Sequence, residues 1–407
     1  MTPLPAGAGR YAASSKTASV LLLVLAEMAG MSLWFVSAAI LPDMVREAGV
    51  SATRQALLSS SVQAGFVLGA LVVSISGIAD RLDPRRVFAA SALLAAAINL
   101  SLLILPIGGN AAIAARFATG ALLAGVYPIG MKIIVGWGLR DRGFLVGLLV
   151  AALTLGSSMP YFAAFLGGAD WRLTVMAASA LAGLGGLLVL ATGLGPHHVR
   201  ALRFEPSAIR LAWTNREIRY AYCGYFGHMW ELFSMWAWIG AASAASFSFS
   251  MAAEDAQSLG KLTAFLAIAL GAIFCVPAGW AADRVGKAEV TIVAMAVSGL
   301  AGLLTAATFG GAPAITIALV LLWGISVIPD SAQFSAIVAD KAPPHLAGSL
   351  LTFQTAIGFA LTILTVQMTP VAAQAFGWPP VLAALAAGPF LGIAAMWPLR
   401  RTRAKES

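Results

Sequence analysis

Apolar runs of about 20 residues, separated by short polar segments, follow one another along the whole chain. A run of that length crosses the ~30 Å hydrocarbon core of a bilayer as one α-helix. The pattern predicts twelve such helices, over residues 17–41, 56–78, 87–107, 113–137, 144–166, 173–194, 218–243, 262–279, 289–308, 314–338, 348–371 and 380–399. We therefore expect an all-α integral membrane protein, with a six-helix domain over 1–194, a cytoplasmic loop over 195–217 and a second six-helix domain over 218–407.

The two halves of the chain repeat the same polar signals at a nearly constant spacing. The pattern E-x-x-x-M-x-x-W occurs twice, 204 residues apart, beginning at Glu27 and at Glu231. Two Asp-Arg pairs lie 203 residues apart, and Pro128 and Pro329 lie 201 residues apart. Such a repeat predicts two six-helix bundles in parallel orientation, related by a pseudo-two-fold axis along the membrane normal.

Composition and charge narrow the class of protein further. Hydrophobic residues make up 60% of the chain and charged residues 10%. Of the 25 lysines and arginines, nineteen fall in polar segments on the same side of the predicted helices as the amino terminus. The positive-inside rule then predicts a multi-pass protein of the inner (cytoplasmic) membrane with both termini in the cytoplasm. This orientation also accounts for the net charge of +8, so we expect the lipid bilayer and not nucleic acid as a partner.

The sequence contains no pattern typical of a cofactor site or of enzyme chemistry. The cysteines, Cys223 and Cys275, have no metal-ligand spacing and predict no disulfide. An intramembrane enzyme built on Asp330, Ser331 and His228 is an alternative, but these residues belong to no nucleophile motif. The first apolar run is too long for the core of a secretory signal, so we expect it to remain as the first span. We expect a monomer that is not an enzyme and holds no cofactor or metal.

Two glutamates lie in the middle of predicted spans. Ionisable groups in hydrocarbon cost several kcal/mol and usually mark ion or substrate pathways. Glu27 and Glu231 are therefore predicted to bind substrate or to carry protons. His228 lies one turn before Glu231, and Trp34 and Trp238 share the helix faces of the two glutamates, so all three join the predicted site. The alternative is that each glutamate bonds a serine or a backbone carbonyl between packed helices.

Further polar residues follow the repeated prolines. Lys132 and Gln333 occupy equivalent positions after the two prolines, and Asp330 directly follows the second one. A proline leaves a carbonyl without its helical partner, so this segment can face a ligand or water. We expect Lys132, Asp330 and Gln333 to line a shared cavity. The alternative for Lys132 is that its long side chain extends to the membrane interface. Arg116 lies near the outer end of the fourth span.

The loops after the second span of each half resemble a signature of the major facilitator superfamily of secondary transporters. SGIADRLDPRR, containing Asp80 and Arg81, and GWAADRVGK, containing Asp283 and Arg284, are similar to the family pattern GxLADRxGRR. Asp83 stands where the family prefers glycine. The resemblance implies that the four charged residues form a cytoplasmic gate, in which Asp and Arg at neighbouring helix ends pair and hold one conformation. The alternative is that they are solvated anchoring charges.

Other segments extend the resemblance over the whole chain. Arg116 followed by Gly120 is similar to the fourth-span motif of the superfamily, which implies that Arg116 serves coupling or helix packing. DWR at 170–172 is similar to the entry to its sixth span. The resemblance implies the superfamily fold, alternating access, and a central cavity lined by spans one, four, seven and ten. Segments around His228 and Asp330 look like a bacterial branch loosely grouped with nitrate and cyanate porters. The arginines that nitrate porters carry in their second and eighth spans are missing here.

The predicted function follows from the charges inside the spans. Three acids, Glu27, Glu231 and Asp330, stand against the basic Lys132 and Arg116 and a histidine. This balance predicts a secondary active transporter for a small organic anion or zwitterion, coupled to protons as a symporter or an antiporter. Two alternatives remain: a drug or metabolite efflux antiporter of the same superfamily, whose fifth-span motif is matched only in part, and a non-transporting membrane sensor.

Overall fold

The computed structural model describes residues 15–138, 141–168, 170–197, 205, 207–343 and 346–400, and every regular element within them is a helix. The first half contains α1 (Lys16–Met31), α2 (Val36–Ala48), α3 (Ala52–Ser76), α4 (Ile78–Arg81), α5 (Pro84–Leu100), α6 (Asn110–Leu123), α7 (Tyr127–Val135), α8 (Arg142–Leu166) and α9 (Trp171–Leu188). The second half contains α10 (Ser207–Thr214), α11 (Arg216–Phe247), α12 (Ala253–Val285), α13 (Lys287–Ala307), α14 (Pro313–Val327), α15 (Ser331–Lys341), α16 (Ala347–Phe376) and α17 (Trp378–Met396).

These helices form twelve spans. In the described part of the chain, eleven stretches are long and apolar enough to cross a membrane, and α11 is the twelfth span. α11 is 32 residues long, but its tyrosines, tryptophans, His228 and Glu231 lower its mean hydropathy. The predicted all-α, twelve-helix fold is confirmed. Some helices are longer than predicted, and α12 runs from Ala253 to Val285 because its charged first and last turns continue the helix into water.

Three spans are broken near the middle. The first span changes from α1 to α2 across residues 32–35, the fourth from α6 to α7 across 124–126, and the tenth from α14 to α15 across 328–330. The breaks in the fourth and tenth spans lie beside Pro128 and Pro329, which have no backbone N–H to donate. Each break frees backbone carbonyls that need another partner, because hydrocarbon offers no water.

Glycines allow the second and fourth spans of each half to pack closely. A Cβ atom on Gly120 of α6 would lie 2.0 Å from the backbone oxygen of Val62 in α3. In the second half, a Cβ atom on Gly324 of α14 would lie 2.2 Å from the backbone oxygen of Ala267 in α12. The two glycines are 204 residues apart, so the same backbone contact is repeated in both halves.

The halves meet mainly along two helix pairs, α3 with α16 and α8 with α12. Ser60 Oγ donates to Gln367 Oε1 at 2.5 Å between α3 and α16. The Tyr161 hydroxyl of α8 lies 2.6 Å from the backbone oxygen of Trp236 and 3.0 Å from that of Ala237 in α11. We call the end of the molecule where α2 and α8 end and α12 begins the Asp43 face, and the opposite end, where α1 begins, the terminal face.

Asp83, the departure from glycine in the first loop signature, caps α5. Its Oδ1 accepts from the backbone N–H of Arg85 at 3.0 Å, and the Arg85 guanidinium donates to both carboxylate oxygens at 3.1 and 2.7 Å. The hydrogen bonds from Arg85 hold the pKa of Asp83 below its usual value. Aspartate therefore caps the helix with its side chain, which glycine could not do.

Candidate functional site

Glu27 is a fully buried carboxylate near the centre of the molecule. Its side chain is 0% exposed, and neither carboxylate oxygen has a hydrogen-bond partner among the described residues. The carboxylate lies against Gly130 of α7, where a Cβ atom would come 2.3 Å from Oε2. The missing side chain of Gly130 therefore makes the space that Glu27 occupies. An ionised carboxylate in such surroundings costs several kcal/mol unless water or a ligand reaches it.

Glu231, at the equivalent position of the second half, has a different environment. Trp323 Nε1 of α14 donates to Oε1 at 2.7 Å, and Ser298 Oγ of α13 donates to Oε2 at 3.0 Å. The carboxylate thus joins three helices of one bundle, and both of its oxygens are satisfied. The repeat predicted equal roles for the two glutamates, but the structure surrounds them differently.

His228 and Asp330 form a buried pair beside Glu231. His228 Nδ1 lies 2.9 Å from Asp330 Oδ1, within ion-pair distance, although the two groups are not aligned for a hydrogen bond. Asp330 stands in the break between α14 and α15, and His228 projects from α11. The rings of Tyr225 and Phe334 lie 6.1 and 5.5 Å from the His228 ring and enclose it. The break therefore brings an acid of the tenth span to a histidine of the seventh.

Tyr127 lies near an ionisable group of each half. It begins α7 after the break in the fourth span, and it lies within electrostatic range of Glu27 in its own half and of Cys275 in the other. Asp330 is in turn within electrostatic range of Glu231. We call Glu27, Tyr127, His228, Glu231 and Asp330 the acidic layer. Sequence reasoning did not assign Tyr127 to the site, and its place before the repeated proline was the available signal.

An aromatic cluster lies between the acidic layer and the Asp43 face. The ring of Trp34 is 4.8 Å from Phe66 in its own half, and 5.7 and 5.8 Å from Phe233 and Phe359 in the other half. Phe66 and Phe359 are 4.7 Å apart. Trp34 thus contacts both bundles, as a closing element would. Sequence reasoning found Trp34 but not its phenylalanine partners, because they come from three other spans.

Arg116 supplies the missing hydrogen bonds of the broken first span. It is fully buried, and its Nη2 donates to the backbone oxygens of Leu33 and Trp34 at 2.8 and 2.9 Å. Its Nη1 donates to Asn99 Oδ1 at 2.7 Å, and Asn99 Nδ2 donates to Ser179 Oγ at 2.9 Å. Arg116 therefore fixes the backbone that carries Trp34. Both predicted roles of Arg116, coupling and helix packing, stay predictions.

Trp238 lines a separate cavity at the Asp43 face. This cavity, which we call the vestibule, has a volume of about 320 Å³ and lies between α2, α11 and α12. Its wall includes Pro42, Val45 and Gln257. The indole Nε1 of Trp238 donates to the backbone oxygen of Val366 at 3.1 Å. Trp238 is thus held in place by a hydrogen bond to α16, whereas Trp34 packs against aromatic rings.

The remaining predicted residues lie toward the terminal face. Lys132 is half-buried in the last turn of α7, and Gln333 is buried in the first turn of α15. That these two residues line a shared cavity with Asp330 stays a prediction.

The predicted gate residues also lie at the terminal face. Arg81 and Asp283 are exposed, and the Arg284 guanidinium lies 3.4 Å from the centre of the Trp280 ring. The side chain of Asp80 lies outside the described residues, so the pairing of these charges stays a prediction.

Comparison with known proteins identifies the family. The model of the Major Facilitator Superfamily matches residues 22–366. A crystal structure of a point mutant of the nucleoside transporter NupG superposes with a TM-score of 0.70 at 15% sequence identity, covering 93% of this chain and 98% of that one. At that identity the likeness concerns the fold alone. No curated protein matches the sequence. Because the family model covers most of the chain, the protein belongs to the Major Facilitator Superfamily.

Proposed function

We propose that this secondary transporter moves a small organic anion or zwitterion across the cytoplasmic membrane by alternating access, coupled to protons, as a monomer with both termini in the cytoplasm. The observation that carries the proposal is the buried Glu27 carboxylate, which has no hydrogen-bond partner among the described residues. A carboxylate in this environment exchanges a proton when water reaches it from one side and then from the other. Superfamily membership supports the transport itself.

The rest of the acidic layer supports the substrate class. The oxygens of Glu231 are occupied by Trp323 and Ser298, whereas the His228–Asp330 pair is a polar group of the second half that can rearrange around a substrate. A histidine beside an aspartate offers a cation to a carboxylate and an anion to an amine. A small molecule carrying one or both of these groups fits this pair.

The experiment uses purified protein in proteoliposomes with an imposed pH gradient. The panel contains small carboxylates, amino acids and, because of the fold likeness, nucleosides. We expect a carboxylate or an amino acid to accumulate when the gradient is present. Glu27→Gln should abolish this accumulation and retain counterflow exchange, because glutamine keeps the volume of the side chain but cannot release a proton.

The matched control is Glu47→Gln, which removes an exposed carboxylate at the Asp43 face. This variant should accumulate substrate like the wild type. Gradient-driven accumulation by Glu27→Gln at the wild-type level would rule out the role of Glu27. Transport of nucleosides alone would rule out the substrate class.

A further inference from the structure

A buried ion pair joins the two halves at the Asp43 face. Lys261 Nζ of α12 lies 2.7 Å from Asp43 Oδ2 of α2, and both side chains are almost wholly buried. Lys261 also donates to the backbone oxygens of Gly168 and Ala164 at 2.8 and 3.4 Å, at the end of α8. Arg46 donates to the other oxygen of Asp43 at 2.9 Å. One lysine of the second half is thus held by two elements of the first.

The ion pair is formed by the same segments of α2 and α12 that line the vestibule. Pro42 and Val45, which flank Asp43 on α2, and Gln257, one turn before Lys261 on α12, line that cavity. Two helices of the vestibule wall, α2 and α12, are therefore joined by the ion pair. Ser37, between Trp34 and Asp43 on α2, is 3% exposed. Separation of α2 from α12 would extend the vestibule past Ser37 toward the aromatic cluster.

The internal repeat carries no charges at the positions equivalent to this pair. At the repeat offsets of 204 and 203 residues, the equivalents of Asp43 and Lys261 are Phe247 and Leu58. Both of these residues are buried and apolar. The positions of the repeat that are equivalent to the ion pair are therefore buried without charges. A buried ion pair that loses one partner is strongly destabilised, whereas its replacement by apolar residues is often neutral or stabilising.

We propose that Asp43 and Lys261 are transport-cycle residues: their ion pair closes the path at the Asp43 face and breaks each time that face opens. The ion pair holds the Asp43 face closed because it is buried. The face can open because water that enters the vestibule solvates both charges when α2 and α12 separate. The inference rests on the proposed alternating access, and its labelling test needs neither the substrate nor proton coupling.

The test measures how fast a cysteine at position 37 reacts with a membrane-impermeant thiol reagent. Ser37→Cys is introduced in a Cys223→Ala, Cys275→Ala background, and the purified protein is labelled without substrate or pH gradient. In Asp43→Asn the buried lysine has no counter-ion, so we expect labelling roughly tenfold faster, or more, than in the parent. Lys261→Met should act in the same direction but more weakly, because Arg46 still pairs with Asp43.

The double variant Asp43→Leu, Lys261→Met distinguishes an ion pair that breaks in each transport cycle from one that only stabilises the structure. Apolar side chains restore the closed interface, so labelling should be no faster than in the parent, and counterflow exchange should be slower because the face opens less often. Glu47→Gln, which breaks the exposed pair with Arg172 at the same face, is the matched control and should leave labelling unchanged. Thermal melting confirms that each variant is folded.

Two results would overturn the inference. The first is labelling at the parent rate in both single variants. The second is wild-type counterflow exchange by the folded double variant. Since labelling needs neither substrate nor protons, a failure of the proposed proton coupling would leave the labelling results intact, and the two failures can be told apart.

Discussion

At the scale of single residues, equivalent positions of the repeat have different surroundings. Glu27 lies against the bare backbone of Gly130, whereas Glu231 accepts from Trp323 and Ser298. A satisfied carboxylate gains little from taking up a proton, while an unsatisfied one changes its interaction energy greatly when it does. If transport is coupled to protons as proposed, we therefore expect Glu27 and not Glu231 to take up and release the proton.

Arg116 gives a prediction at the same scale. Arg116→Gln removes the donors to Leu33 and Trp34 and leaves two carbonyls unpaired at membrane depth. We expect a loss of about 3 kcal/mol in stability, since each buried acceptor without a donor costs about 1–3 kcal/mol. Thermal unfolding in detergent measures the change as a lower melting temperature.

Arg54→Gln is the matched control for Arg116→Gln. Arg54 also donates to a carbonyl, that of Gly108, and to the amide oxygen of Asn110, but it does so near the surface of the Asp43 face. Water replaces these bonds, so we expect little change in the melting temperature. An equal effect of the two substitutions would contradict the role of Arg116 in the broken span.

At the scale of helices, the close contact of the second and fourth spans allows a matched pair of substitutions. Gly120→Ala would place a methyl group 2.0 Å from the Val62 oxygen, so α3 and α6 must move apart. We expect a cost of about 1–3 kcal/mol, as for other overpacked cores. Gly183→Ala in α9 meets no atom within 4 Å and should be neutral or stabilising by up to about 1 kcal/mol, because alanine favours helix. Similar melting temperatures for the two variants would contradict this prediction, because they would show that α3 and α6 move apart at little cost.

Helices were also the features best predicted from sequence. Their number follows from the length of the apolar runs, since hydrocarbon thickness fixes how many residues a span needs. The break beside Pro329 was visible because proline lacks an N–H, and the position of Asp330 followed from it. The break across residues 32–35 contains no proline and depends on Arg116, which comes from another span. A contact of that kind has no local signal.

At the scale of the whole molecule, the residues of the site were easier to predict than their partners. Buried acids are rare in membrane spans, so Glu27, Glu231 and Asp330 stood out. The ion pair between Asp43 and Lys261 did not, because both residues lie near span ends, where charges are ordinary. Their pairing depends on how the two bundles are placed against each other, and residues 218 apart in sequence give no periodic signal for it.

The contact of Tyr161 with the other half gives a final prediction at this scale. Tyr161→Phe removes a hydrogen bond from α8 to the backbone of Trp236 and Ala237, without changing the packing of either bundle. A buried hydrogen bond is worth about 1 kcal/mol net, which corresponds to roughly a fivefold shift between the closed and open Asp43 face. Spin labels are placed at Ser51 and Ala253, one in each half. Double electron–electron resonance then measures opening of the Asp43 face as a longer distance between the two labels.

Tyr222→Phe distinguishes contacts between the halves from contacts within one. The Tyr222 hydroxyl donates to the backbone oxygen of Leu350 at 2.5 Å, and both residues belong to the second half. This substitution should lower the melting temperature by a similar amount and leave the distance between Ser51 and Ala253 unchanged. If the two tyrosine substitutions shifted that distance equally, the halves would not move as separate bodies, and the contacts across the Asp43 face would only hold the fold together.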